Sequence, residues 1–216
     1  MDIKGLLNQV LASGNELAST AAGKQAGGMS DMTKGAIGGA VGGSLLPLLM
    51  GNKKTRKMGA KAAKLGGTAA LGALAYKVYN DWQAGQQSAT VTSAPAATIP
   101  PDTPQHSMNV LRAMLAAAKA DGHVDDAEQA RIYKAVQAMG ATREVSAFVE
   151  TELARPLDPA EVARGITCPE EASEVYLASL LMVDEQGFME RAYLQELARE
   201  LGLAPELVAR LESQVA

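Results

Sequence analysis

Residues 35–52 read GAIGGAVGGSLLPLLMGN, eighteen positions without a charge, and Gly35, Gly39 and Gly43 recur within them every four residues. Each interior glycine costs a helix in water roughly 1 kcal/mol relative to alanine, so the stretch makes a poor soluble helix. In hydrocarbon the balance reverses. Backbone groups denied water must bond one another, and small residues four apart let two helix backbones approach closely. At about 1.5 Å per residue the run spans roughly 27 Å, just short of a hydrocarbon core about 30 Å thick. The expectation is a membrane-associated segment.

A second small-residue stretch, LGGTAALGALAYKVYNDW (65–82), follows a basic cluster that includes Lys53, Lys54, Arg56 and Lys57. It is uncharged only as far as Tyr76, which is marginal for a span. Tyr76, Tyr79 and Trp82 at one end have the composition of an interfacial aromatic belt, with Lys77 snorkelling. Gly59, Ala63 and Gly67 repeat the spacing of four, so residues 35–85 are read as a helical hairpin or span packed through glycines. Pro47 kinks or divides the first run. A single span, a re-entrant hairpin and two helices in one leaflet all stay open at this point.

The charge distribution supports a divided chain. Residues 1–87 carry a net charge of +6 and residues 88–216 a net of −10, which together give the whole-chain value of −4. A basic, apolar first part beside an acidic second part fits a membrane-proximal segment followed by a soluble domain. The basic cluster lies between two apolar small-residue segments, which assigns it to anionic lipid headgroups rather than nucleic acid. Cys168 is the only cysteine. No intramolecular disulfide can form, which favours the cytoplasm for the domain. The first thirty residues lack the basic n-region and unbroken apolar run of a secretory signal.

Ile3, Leu6, Leu7, Val10 and Leu11 recur at helical spacing, predicting a short amphipathic helix over 2–12 that serves as an anchor, a self-association element or an end that folds against a partner. Residues 13–34 are rich in Gly, Ala and Ser. Residues 86–105, with Pro95, Pro100, Pro101 and Pro104, read as a Pro/Ala/Thr linker. Residues 106–216 carry seven helical periodicities and no strand signal, which predicts a compact all-α domain. Thr142 caps the third helix, and Asp158-Pro159-Ala160-Glu161 opens the fourth as a capping box. Thr167 with Glu170 starts the fifth, whose run Leu177–Val183 is apolar nearly all round and is therefore the central helix.

Two pieces of this domain echo each other, AAAKADGHVDDAEQARIYKAVQAMG (116–140) and SLLMVDEQGFMERAYLQELARELG (179–202). Each has an apolar helix, an Asp, a turn with Gly, a Glu opening the next helix and a terminal Gly. K-A-D-G-x-V-x-x-x-E in the first copy, V-D-x-x-x-x-x-E in the second and the closing L-A-x-x-L-G-L resemble the TerB-like domain associated with tellurite resistance. With the Gly-rich first half and the Pro/Ala linker, the whole chain is similar to the YebE-like family of proteobacterial inner-membrane proteins. The resemblance implies a binding or scaffolding module in a stress-related membrane setting, with the domain in the cytoplasm. It brings no catalytic residues with it.

The run Asp121-Gly122-His123-Val124-Asp125-Asp126-Ala127-Glu128 matches the second half of a calcium-binding EF-hand loop. The positions for the first two oxygen ligands hold Ala117 and Lys119 instead, so an ordinary loop of that kind is excluded. Helix capping is the better reading. A composite cation site would pool Asp121, Asp125, Glu128, Asp184 and Glu190 if the two turns met. His106 and His123 lack the partner set zinc needs. Cys168 lies at a helix start, where a dipole lowers a thiol pKa, but such a cysteine more often packs. No nucleophile–base pair, phosphate loop or dinucleotide fingerprint is present. These readings converge on a non-enzymatic inner-membrane protein without a cofactor, which contacts lipid and a protein partner and can form homo-oligomers. The alternative is a glycine-zipper oligomer that perturbs the membrane under control of the helical domain.

Overall fold

Helix starts in this chain are marked by proline. Pro104, Pro159, Pro169 and Pro205 each occupy the first turn of a helix, where the ring fixes φ and the missing N–H would have had no partner. The computed structural model describes residues 2–9, 68–86, 103–120, 132–133, 136–137, 140–183 and 187–215. Within these, all regular structure is helical: α1 (3–9), α2 (Thr68–Gln86), α3 (Pro104–Ala118), helical turns at 132–133 and 136–137, α4 (Arg143–Ala154), α5 (Pro159–Ala163), α6 (Pro169–Met182), α7 (Phe188–Glu200) and α8 (Pro205–Ser213). The all-α expectation holds, and the seven periodicities after residue 103 each coincide with helical residues. The Gly-rich stretch at 35–52 lies outside the described residues.

Helix α6 is the centre of the fold. Every residue from Ala172 to Val183 is buried, as its nearly uninterrupted apolar run predicts. Helices α2, α3, α7 and α8 pack around it, α4 lies against α3, and α5 bridges α3 and α7. Ser179, fully buried on α6, donates to the Ala113 carbonyl of α3 at 3.4 Å. Tyr176 reaches across to Glu212 Oε1 at 2.9 Å, so the hydroxyl of this buried ring is satisfied.

The core extends beyond residues 106–216. Leu71, Ala75, Val78 and Tyr79 of α2 belong to it, as do Ile3, Leu6 and Leu7 of α1. Burying a leucine side chain fully contributes about 1.5–3 kcal/mol, and Leu6 and Leu7 are 0 % and 1 % exposed. The amphipathic start of the chain thus folds against its own domain. Asp2 caps it by accepting from the Gly5 N–H at 2.8 Å. Tyr79 is buried and Trp82 half-buried against the protein, with ring centroids 5.9 Å apart. These two rings therefore pack in the core rather than forming a belt at a bilayer surface. The solvent face of α2 carries an exposed Lys77–Asp81 pair at 2.7 Å. No helix among the described residues is long and apolar enough to cross a membrane.

Caps follow the sequence closely, with two shifts. Thr142 accepts from the Val145 N–H at 3.4 Å. Asp158 accepts from Ala160 N at 2.9 Å, but Glu161 pairs with Arg164 instead of closing the capping box. Helix α6 starts from Cys168 rather than Thr167 and has no side-chain cap. The terminal glycines of the two echoed pieces do the same work. Gly140 (φ 75°) and Gly202 (φ 65°) are left-handed. At each, the N–H of the following residue returns to a carbonyl five positions back, from Ala141 to Val136 at 3.3 Å and from Leu203 to Ala198 at 3.0 Å. This is the Schellman ending that favours glycine.

Candidate functional site

The expected linker at 86–105 lies largely outside the described residues, and the chain is described again from Thr103, whose hydroxyl accepts from the His106 N–H at 3.1 Å and so fixes the first turn of α3. That turn directs His106 onto α6, where Glu171 and Glu174 stand one turn apart. Nε2 lies 3.1 Å from Glu174 Oε2, and Nδ1 lies 3.3 Å from Glu171 Oε1. The second contact is an ion pair rather than an aligned hydrogen bond, because Glu171 Oε1 also accepts from Asn109 Nδ2 at 2.9 Å. All three ionisable side chains are largely buried, at 14 %, 17 % and 5 % exposure.

Glu171 and then Glu174 push the His106 pKa up to about 10, outweighing the opposing cost of burial. His106 in turn holds the Glu171 carboxyl below the usual carboxylate range. A general acid–base group works best with a pKa near the operating pH. An imidazolium locked on at neutral pH is suited to joining helices instead. A third helix completes the junction. A Cβ on Gly72 of α2 would come within 3.0 Å of Glu174 Oε2, so α2 lies directly over the carboxylate that His106 neutralises.

Next to this junction, Tyr79 and Trp82 of α2, Cys168 and the α7–α8 turn enclose a hollow of about 210 Å³. The Cys168 thiol donates to Glu170 Oε2 at 2.7 Å. Burial, followed by that carboxylate, raises its pKa, and the backbone hydrogen bonds at the helix start do not overcome them. Cys168 is a protonated packing residue.

The other residues singled out in the sequence fall mostly elsewhere. Gly35, Gly39, Gly43, Gly59 and Gly67, the basic residues Lys53, Lys54, Arg56 and Lys57, and the acidic residues Asp121, Asp125, Glu128 and Asp184 lie outside the described residues. Glu190 is buried in the first turn of α7. Among the described residues, no cluster of His, Cys, Asp and Glu is arranged to hold a metal ion. Sequence reasoning missed the His106 junction. Glu171 and Glu174 at a spacing of three were its one visible sign, and nothing local ties them to a histidine 65 residues earlier.

No solved structure matches the chain. A protein of Yersinia enterocolitica described as an uncharacterized protein in the ampR 5′ region is 31 % identical over 111 residues, which cover 51 % of this chain and 80 % of that protein. The family described as protein of unknown function, DUF533, matches residues 35–215, through the small-residue stretch and the helical domain alike, and the chain belongs to that family.

Proposed function

We propose that this protein is a non-enzymatic scaffold of the bacterial inner membrane, in which the small-residue segment 35–67 contacts lipid and the helical domain is a cytoplasmic binding module. One observation carries the reading. Helix α2 begins where that segment ends and is locked onto the central helix α6 through Gly72, Glu174 and His106. Whatever holds the segment therefore tethers the domain through a helix that is part of its core, which supports the scaffold reading. The finer resemblance, to TerB-like modules and the YebE-like family in stress-related membrane settings, belongs to the same reading and rests on the K-A-D-G-x-V-x-x-x-E and L-A-x-x-L-G-L motifs.

The test is fractionation of the full chain after an alkaline carbonate wash. Retention in the membrane pellet is the expected result, and release into the supernatant would overturn the integral reading. The four-residue glycine spacing favours a second reading, a membrane-perturbing oligomer. Reconstituted vesicles separate the two: a scaffold leaves them tight, whereas a zipper oligomer releases trapped ions. In either case Gly39→Leu with Gly43→Leu should reduce crosslinking between copies in membranes.

A further inference from the structure

A cleft of about 270 Å³ opens between α3, the end of α4 and α5, remote in sequence from the membrane segment. Its floor is apolar, made by Ala116 and the buried Val162. Its walls carry Arg112, Lys119 and Arg155 beside Glu152, Asp158 and Glu161. Arg112 is stacked 5.4 Å from the centre of the Phe148 ring, which holds the guanidinium plane in place. Its Nε stands 3.1 Å from Glu152 Oε1 without hydrogen-bond alignment. Arg155 Nη1 reaches the same oxygen at 2.9 Å. Two guanidiniums thus share one oxygen of one buried carboxylate, and the remaining Nη groups of Arg112 have no partner among the described residues.

A third cation lines the cleft. Lys119 Nζ donates to the backbone carbonyls of Glu152, at 3.1 Å, and of Arg155, which are neutral acceptors. The acidic residues at the rim are engaged elsewhere, Asp158 in capping α5 and Glu161 with Arg164. Three cations and three carboxylates thus line the cleft, and among the described residues Glu152 is the carboxylate that meets the guanidiniums. A planar guanidinium fork suits a carboxylate or a phosphate, which it can engage with two parallel hydrogen bonds.

We propose that this cleft is an oxyanion site, in which the guanidinium N–H groups of Arg112 and Arg155 that have no partner among the described residues receive the carboxylate or phosphate of a small ligand. The site stands apart from the scaffold reading and does not depend on it. Lys119 acts as a positioning residue, tying down the backbone of both Glu152 and Arg155.

The test uses the purified full chain, with sodium phosphate and sodium succinate as probes, each balanced with chloride to constant ionic strength. Thermal unfolding and equilibrium dialysis should show saturable binding of one probe, and which probe binds identifies the source of the oxyanion. Arg155 is half exposed, so Arg155→Gln keeps the fold, and it should raise the dissociation constant about tenfold or more. Arg155→Lys, which keeps the charge but loses the fork, should fall between. No saturable binding of either probe, or binding that Arg155→Gln leaves unchanged, would overturn the proposal.

Discussion

At Gly202 the left-handed backbone that ends α7 costs any L side chain steric energy, although a Cβ there would meet nothing within 4 Å. Gly202→Ala should therefore destabilise the protein by about 1 kcal/mol, measurable as a lower urea midpoint with an unchanged slope. Such glycines are legible in sequence, because a Gly closing an apolar periodicity is a local signal. His106 is not. Its role depends on which helix it meets, and only packing decides that. Removing its charge leaves Glu171 and Glu174 buried together, so His106→Gln should destabilise by about 3 kcal/mol at neutral pH. The raised His106 pKa gives a contribution present in full below about 6.5 and lost as the pH rises through about 10. Glu171, with its pKa depressed, contributes above about 4.5 and loses that contribution as the pH falls through its lowered value. Unfolding free energies measured from about pH 2.5 to pH 10.5 should show a plateau with both shoulders in the native protein. In the variant the alkaline shoulder should vanish.

Helix by helix, the sequence was most informative where one physical role was possible. The Leu177–Val183 run, apolar on all sides, has to be central, and α6 is. Helix α2 was ambiguous because its residues suit two solvents. Ala, Gly, Leu and aromatic side chains pack against lipid or against a protein helix, and hydropathy alone does not separate the two. The deciding feature is close approach, since Gly72 admits the Glu174 carboxylate where a larger residue would not. Gly72→Leu should force α2 off α6 and expose Leu71, Ala75 and Val78. The expected signs are increased binding of a hydrophobic dye and faster proteolysis within 68–86, with the helical content of α3 to α8 retained. Native-like dye binding and protection would show that α2 docks without that contact. The caps read correctly at Thr142, where the hydroxyl and the first turn are adjacent in sequence. Helix α6 starts one residue later than the Thr167 signal predicts, because Pro169 sets its start more firmly than the Thr167 hydroxyl does.

Across the described residues, α1 and α2 share one core with the helices after residue 103, although residues 10–67 separate α1 from α2 in the chain. That shared core is not legible in sequence, because contacts between distant segments leave no periodicity behind. The burial of Leu6 and Leu7 beside the same domain that seats α2 has a topological consequence. Both ends of the intervening chain are moored to one body. On the proposed membrane reading, an even number of crossings by residues 10–67 is the expected outcome. With Cys168 replaced by Ser, single cysteines introduced at the exposed positions Lys4 and Lys77 should react with a membrane-impermeant thiol reagent from the same face of sealed vesicles. Reaction from opposite faces would mean that α1 leaves its seat in the membrane-bound protein.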